Sequence, residues 1–344
     1  MRDWNQNESL RAHTTFQIGG PAEYFVEVVT EEELRAAVRE ANRRELPVTI
    51  LGGGSNMLVS DSGVRGVVIK NLCGGINVCD AENDTVKVTA GAGVVFDDLV
   101  LYTVREGYWG LENLSHIPGS VGATPVQNVG AYGVEIGSLV TEVRVYDMVN
   151  DRFVPLAAHE CMFGYRDSIF KHNVGNDFVV TAVTFVLSRT PRPQLAYKDL
   201  AARFGGTLPT QQEIRDAIIE IRAGKFPDWH TVGTAGSFFK NPIIPRTHYE
   251  ELLTTYADMP GFDVTHDMVK VPLGWILDKV CNVRGMRMGN VGTYEAQALV
   301  VINHGGATAH EVRLFAAEIT ERVRKHTNIA IEWEVTKVGF EDSV

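Results

Sequence analysis

The stretch from residue 23 to residue 60 restricts the fold more than any other part of the chain. "EYFVEVV" (23–29) is a β-rich run, and "TEEELRAAVREANRRE" (30–45) opens with Thr30 and Glu33 as a capping box. Leu34, Val38 and Ala41 recur at helical spacing and give that helix one apolar face. "PVTILGGGSNMLVS" (47–60) then returns to a strand that runs out into glycines. A strand, an amphipathic helix and a second strand so close together form a βαβ unit, with the helix stripe buried against a sheet.

Short strands and capped helices continue beyond it. "GVVIKN" and "TVKVTAGAGV" read as strands, and "FDDLVLYTVRE" (96–106) as a helix closed by Gly107. "VTEVRVYDMV" and "FVVTAVTFVL" are further strands, whereas "SRTPRPQLAYKDLAARFGG" breaks the pattern with two prolines. The next helix opens at Thr210 with Glu213 as its capping partner, buries Ile214, Ala217, Ile218 and Ile221, and ends at Gly224.

In the last third, shorter helices are expected at 248–256 and 273–281, a strand at 298–303 and a long helix at 309–326. Thr308 and Glu311 cap that helix, and Val312, Phe315, Ile319 and Val323 are its core stripe. "NIAIEWEVTKVG" alternates with period two, setting Ile329, Ile331, Trp333 and Val335 against Ala330, Glu332 and Glu334. This mixture favours an α+β fold over one doubly wound sheet.

At 344 residues the chain suits two or three packed units. A net charge of -11 disfavours nucleic acid or an anionic membrane as partner. No stretch is long and apolar enough to span a bilayer, and the N-terminus lacks an export pattern, so a cytoplasmic chain is expected. Cys73, Cys79, Cys161 and Cys281 show no metal-ligand spacing and are expected as reduced thiols packed as small hydrophobes. The ten histidines form no HExxH or other cluster, so no metal is expected.

Five stretches could carry chemistry. "LGGGSN" (51–56) follows a strand, where backbone N–H groups can converge on phosphate oxygens, although a plain turn is the competing reading. It has neither the GK[ST] of a P-loop nor GxGxxG opening a helix. "IPGSVGATPVQNVGAYG" (117–133) is a second glycine-rich loop, suited to a ligand or to a tight crossover. In "FGYRDSIFK" (163–171), Arg166 offers a fork for a carboxylate, or else pairs with Asp167. Lys225 in "IRAGKFPDW" (221–229) follows a helix end, where a cation also suits the helix dipole. Ser237 in "TAGSFFKNP" (234–242) has no GxSxG elbow, so it is no triad nucleophile; its hydroxyl could protonate a carbanion-like centre or line a turn.

Taken in order, "HTTFQIGGPAE", "LGGGSN", "IPGSVGATPVQNVGAYG", "FGYRDSIFK", "AGSFFKNP", "GMRMG", "EAQALVVIN" and "EWEV" resemble the UDP-N-acetylenolpyruvoylglucosamine reductases of bacterial peptidoglycan synthesis across nearly the whole chain. "LAYKDL" (195–200) resembles the insertion of the type I subgroup, near 190–205. The resemblance implies a flavoenzyme in which FAD, reduced by NADPH, reduces the enolpyruvyl double bond of a UDP-sugar to give UDP-N-acetylmuramate. It implies an α+β fold with a two-part FAD-binding module of the vanillyl-alcohol-oxidase/PCMH-like type plus a third α+β substrate-binding domain. The expected division is 1–72 joined by the C-terminal strand 328–344, then 73–226, then 227–327. Expected partners are the UDP-sugar and NADPH, with no nucleic acid, no membrane insertion and a monomeric chain.

Carried over by motif, the resemblance implies Ser237 as proton donor, with Arg166 and Glu334 stabilising the intermediate. It implies FAD binding by Gly53, Gly54, Ser55, Asn56, Gly119, Gly122 and Arg222, and substrate binding by Tyr197, Lys225, Asn241, Gln297 and Tyr132. Trp333 and Thr336 stand where the family often has proline and arginine, so a shifted register would move the catalytic carboxylate to Glu332. Ala123 stands where some members carry a hydroxyl.

Overall fold

The computed structural model describes residues 4–175 and 177–340; residues 1–3 and 341–344, at the ends of the expected 1–72 and 328–344 segments, lie outside the described residues. The chain forms two compact units, each drawn from separated segments. The first comprises the N-terminal stretch through Glu8 with Ala22–Gly54 and Arg65–Arg222, and the second Ser9–Pro21, Ser55–Val64 and the chain from Ala223 onward.

The first unit holds two sheets. In the four-stranded one, Asn5–Ser9, Pro21–Val28, Val64–Asn71 and Val48–Leu51 lie in that order, with the last two parallel. The strands flanking the first helix are therefore not neighbours, because Val64–Asn71 inserts between them. That helix, Glu31–Arg43, begins where expected: Thr30 Oγ1 accepts from Glu33 N, and the Glu33 carboxylate reaches back to Val29 N. Leu34, Ala37, Val38 and Ala41 are buried with Val26 and Val67 of the sheet. Burial of each larger side chain contributes about 1.5–3 kcal/mol.

The second sheet is a five-stranded antiparallel array in the order Arg152–Ala157, Val140–Asp147, Phe178–Ser188, Thr85–Gly91, Ile76–Asp80. Its inner face packs on the helix Phe96–Arg105 through Phe96, Leu99 and Val100. The helix Gln211–Ala223 buries Ile214, Ala217 and Ile218 with Trp109, Tyr132 and Leu200. Leu200 lies on a short helix, Lys198–Phe204, which the two prolines upstream obscured in the sequence.

Asp151, in the turn after Val140–Asp147, ties this sheet to the first helix. Its carboxylate accepts from Arg35 Nε at 2.7 Å, Arg39 Nε at 3.0 Å and the Tyr146 hydroxyl at 2.7 Å. These donors, Arg35 first, hold the Asp151 carboxyl far below the ordinary aspartate range. A depressed folded-state value means stabilisation that is present above the unfolded value and lost as pH falls. Asp151→Asn should lower the thermal midpoint at pH 7, and the gap to the parent should close below about pH 4; a gap that persists in acid would show that charge is not the cause.

The second unit packs the sheet Gly233–Ser237, Val300–Asn303, Val291–Thr293, Arg287–Met288 against the long helix Ala309–Thr327, where Val312, Phe315, Ile319 and Val323 are fully buried. Thr308 and Glu311 form the expected capping box. Expected helix 273–281 is a single α turn, Leu273–Trp275, that widens into a π turn over Ile276–Val280, with Cys281 N donating to Ile276 O.

The C-terminal segment corrects the reading of 328–339 as one alternating strand. Only Thr336–Val338 is a strand, parallel to Met57–Val59, while the preceding residues run beside Phe238–Lys240. A segment that changes partner midway cannot build one continuous ladder. A second correction concerns the cysteines: Cys73, Cys161 and Cys281 are buried, and burial pushes each thiol up to about 11, but Cys79 is exposed on the edge strand.

Candidate active site

In the first unit the two glycine-rich loops meet. A Cβ on Gly53 would lie 2.6 Å from Gly119 Cα, and one on Gly52 would lie 2.5 Å from Ser120 Oγ. Main chain thus approaches main chain at a distance only glycine permits. The second loop rests on the residues that lead into the helix Phe96–Arg105: Val121 N donates to Val94 O, Gly122 N to Ala92 O, and Phe96 N to Gly119 O. Gly119 and Gly54 both hold positive φ, +118° and +62°.

Two arginines on the buried face of the helix Gln211–Ala223 fasten the start of this loop. Arg215 forks onto Asp97 at 2.6 and 2.8 Å, and His116 N donates to the same carboxylate. Burial alone would raise the Asp97 carboxyl, but Arg215 and the His116 N–H overcome it and hold it below its ordinary value. Arg222 Nε donates to His116 O at 3.0 Å, so both main-chain polar groups of His116 are held, with His116 at φ +60°. Arg222 is itself only 9% exposed; burial lowers its affinity for a proton, and a hydrogen bond with Tyr132 works the other way.

The structure brings Arg222, Tyr132 and Tyr197 together, although they were expected to serve two different ligands. The Tyr132 and Tyr197 rings meet edge to face with centroids 5.1 Å apart. Arg166 does not pair with Asp167, which instead contacts His172 at 3.0 Å. Its Nη2 donates to Gly130 O at 2.7 Å, and its guanidinium lies over the Tyr165 ring. Arg166 and Tyr132 hold φ of +52° and +49°, a conformation that costs non-glycine residues about 1–3 kcal/mol and concentrates at functional sites.

In the second unit, Ser237 ends a strand interrupted by a bulge. Gly236 takes φ +76° and donates to Thr234 Oγ1, and Ser237 then resumes pairing opposite Val300. The following residues run antiparallel to the C-terminal segment: Glu334 N donates to Phe238 O, Phe239 bridges Trp333, and Lys240 N donates to Glu332 O. Trp333 packs edge-on against Phe238 at 4.7 Å, giving a packing role to the residue that departs from the family pattern. Asn56 Nδ2 donates to Glu334 O at 3.1 Å, and Asn56 O accepts from Thr336 N. The two glutamates differ: Glu332 is exposed and bonds Lys240 Nζ at 2.9 Å, whereas Glu334 is half-buried.

Asn241 and Gln297 also come together. Asn241 Oδ1 accepts from Leu273 N at 2.9 Å, and a Cβ on the next residue, Gly274, would lie 2.9 Å from Gln297 Oε1. Lys225 is half-buried in the turn after the helix that ends at Ala223. Ser120, Asp97, Arg215 and His116 escaped the sequence reading. For Arg215 a signal existed: it stands two turns before Arg222 beside the apolar stripe of Ile214 and Ile218.

The glycine loops fit a pyrophosphate-bearing cofactor. Ser120 Oγ is buried with no hydrogen-bond partner among the described residues, beside main chain packed too closely for side chains. The family model described as an FAD binding domain matches residues 22–152, so fold and site define an FAD-binding α+β protein. A second family model, described as the C-terminal domain of UDP-N-acetylenolpyruvoylglucosamine reductase, matches residues 228–338. The chain is 40% identical over 335 residues to the enzyme of that name from Cupriavidus pinatubonensis, covering 97% of this chain and 99% of the relative. It is 39% identical to the one from Escherichia coli O157:H7, covering 98% of each. Among solved structures, the Thermus caldophilus UDP-N-acetylenolpyruvylglucosamine reductase is 25% identical with a TM-score of 0.68, over 98% of this chain and 100% of that one. The chain belongs to the UDP-N-acetylenolpyruvoylglucosamine reductase family and is an FAD-dependent reductase of peptidoglycan precursor synthesis.

Proposed function

We propose that the chain reduces the enolpyruvyl double bond of UDP-N-acetylglucosamine enolpyruvate to UDP-N-acetylmuramate, with Ser237 as proton donor and Arg166 and Glu334 as stabilisers of the charge that develops on the substrate. FAD, once reduced by NADPH, supplies the two-electron reducing power. Arg166, aimed by Gly130 O and the Tyr165 ring, presents its guanidinium charge to the substrate carboxylate, where negative charge accumulates as the alkene is reduced. Ser237 then gives its hydroxyl proton to the α-carbon, and Glu334, protonated or bridged through water, donates to the enolate oxygens.

The observation that carries this reading is the antiparallel run of Phe238–Lys240 beside Glu332–Glu334, which sets the half-buried Glu334 opposite Phe238, the residue that directly follows Ser237. On this reading Glu334→Gln slows substrate reduction about 10²-fold while Glu332→Gln changes it less than about twofold. The reverse pattern would move the role to Glu332.

Tyr132, Tyr197, Lys225, Asn241 and Gln297 bind the UDP-sugar, and Gly53, Gly54, Ser55, Asn56, Gly119, Gly122 and Arg222 bind FAD. The buried Ser120 hydroxyl joins the FAD set. The domain order we favour is 1–72 with 328–344, then 73–226, then 227–327. The two sheets of the first unit and the pairing of Thr336–Val338 with Met57–Val59 support it. Among the described residues no helix is long and apolar enough to cross a membrane. The working form is a cytoplasmic monomer that binds neither nucleic acid nor membrane.

An anaerobic visible spectrum tests the reaction. NADPH should bleach the oxidised flavin bands, and UDP-N-acetylglucosamine enolpyruvate should restore them. Bleaching without restoration would mean a different acceptor, and protein that neither holds nor takes up flavin would sink the reading.

A further inference from the structure

Asn113 is fully buried, and nothing in the roles above requires it. Its Nδ2 donates to Tyr132 O and to Gln194 O, both at 2.8 Å, which uses both amide hydrogens. Its Oδ1 is buried without a partner among the described residues. An amide kept in the interior with one polar atom unsatisfied is unfavourable unless its other atom is needed, and here two main-chain carbonyls need it.

Those carbonyls belong to different parts of the chain. Tyr132 closes the second glycine-rich loop, and Gln194 stands at the start of the insertion that leads through Leu195 to Tyr197. Leu195 packs on the small cluster that contains Tyr132 and Leu200, and the Tyr197 ring meets the Tyr132 ring edge to face. Tyr132 keeps its positive φ while its carbonyl is gripped. The stretch between Gln194 and Tyr197 is too short to absorb much movement of Gln194, so a shift there passes to the Tyr197 ring.

We infer that Asn113 is a positioning residue for substrate: by holding the Tyr132 and Gln194 carbonyls on one amide group, it sets the spacing of the two tyrosine rings that grip the UDP-sugar. The inference rests on reading Tyr132 and Tyr197 as substrate-binding residues. Asn113 does not meet the reacting atoms, so its loss acts on substrate affinity and leaves reduction of the bound flavin by NADPH unchanged.

A double-mutant cycle on the FAD-loaded enzyme tests this, with KM for UDP-N-acetylglucosamine enolpyruvate as the readout and the rate of flavin bleaching by NADPH as control. Asn113→Ala should raise KM about tenfold or more, with kcat changed less than about threefold and bleaching unaltered. Tyr197→Ala should raise KM as well, but add less than about twofold in the Asn113→Ala background. If Asn113→Ala yields no folded protein, Asn113→Ser, which keeps one donor, enters the same cycle. If the two KM effects multiply as independent factors, or if Asn113→Ala slows bleaching as much as turnover, the positioning role is overturned while Tyr197 keeps its own. If Tyr197→Ala alone leaves KM unchanged, the substrate reading of Tyr197 fails and takes the inference with it.

Discussion

Ser237→Ala is expected to slow reduction of the UDP-sugar by 10²-fold or more while reduction of the flavin by NADPH stays within about twofold of the parent. A loss of that size corresponds to about 3 kcal/mol of transition-state stabilisation, the scale of a general acid aimed at one carbon. The local backbone makes the variant clean. The bulge is formed by Gly236 at φ +76° and by its bond to Thr234 Oγ1, neither of which involves the Ser237 side chain. Anaerobic stopped-flow spectroscopy separates the two half-reactions. Equal slowing of both would remove Ser237 from the proton-donor role.

Gly53→Ala is expected to abolish FAD retention. The added methyl would stand 2.6 Å from Gly119 Cα and 2.9 Å from Gly119 C, so the conflict is with main chain and no rotamer relieves it. One of the two loops must move, and with it the N–H groups and the Ser120 hydroxyl that suit a pyrophosphate. Gly74→Ala is the matched control, because its Cβ would meet nothing closer than Leu72 O at 3.9 Å. The ratio of flavin absorbance to protein in the purified variants gives the answer. Gly53→Ala carrying full flavin would mean that the loops do not hold the cofactor.

Much of the architecture was legible in local signals. The three capping boxes at Thr30, Thr210 and Thr308 each start a helix where a side-chain oxygen meets the N–H three residues on. Such motifs are readable because both partners lie within one turn. The stripes of Leu34 and Val38, and of Val312 and Ile319, likewise follow from helical period alone. The candidate site is legible only in the order of the motifs, since Ser237 or Arg166 taken singly is an ordinary turn residue or half of a surface pair.

What remained hidden depends on partners distant in sequence. The C-terminal residues alternate like a strand, yet they divide between Phe238–Lys240 and Met57–Val59, because edges from elsewhere in the chain set the pairing. Glu332 and Glu334 look equivalent two residues apart; Lys240 draws one outward, and Phe238 and Asn56 hold the main chain of the other. Arg166 could have faced Asp167, but His172 takes that carboxylate and Gly130 O takes the guanidinium. By itself, then, the sequence determined the capped helices and the family, because these rest on contacts within a turn or on the order of motifs. Only the tertiary structure decided that two glycine loops interlock, that Arg222 meets Tyr132, and that one amide at Asn113 spans two loops, because each arises where folding brings remote main chain within hydrogen-bond reach.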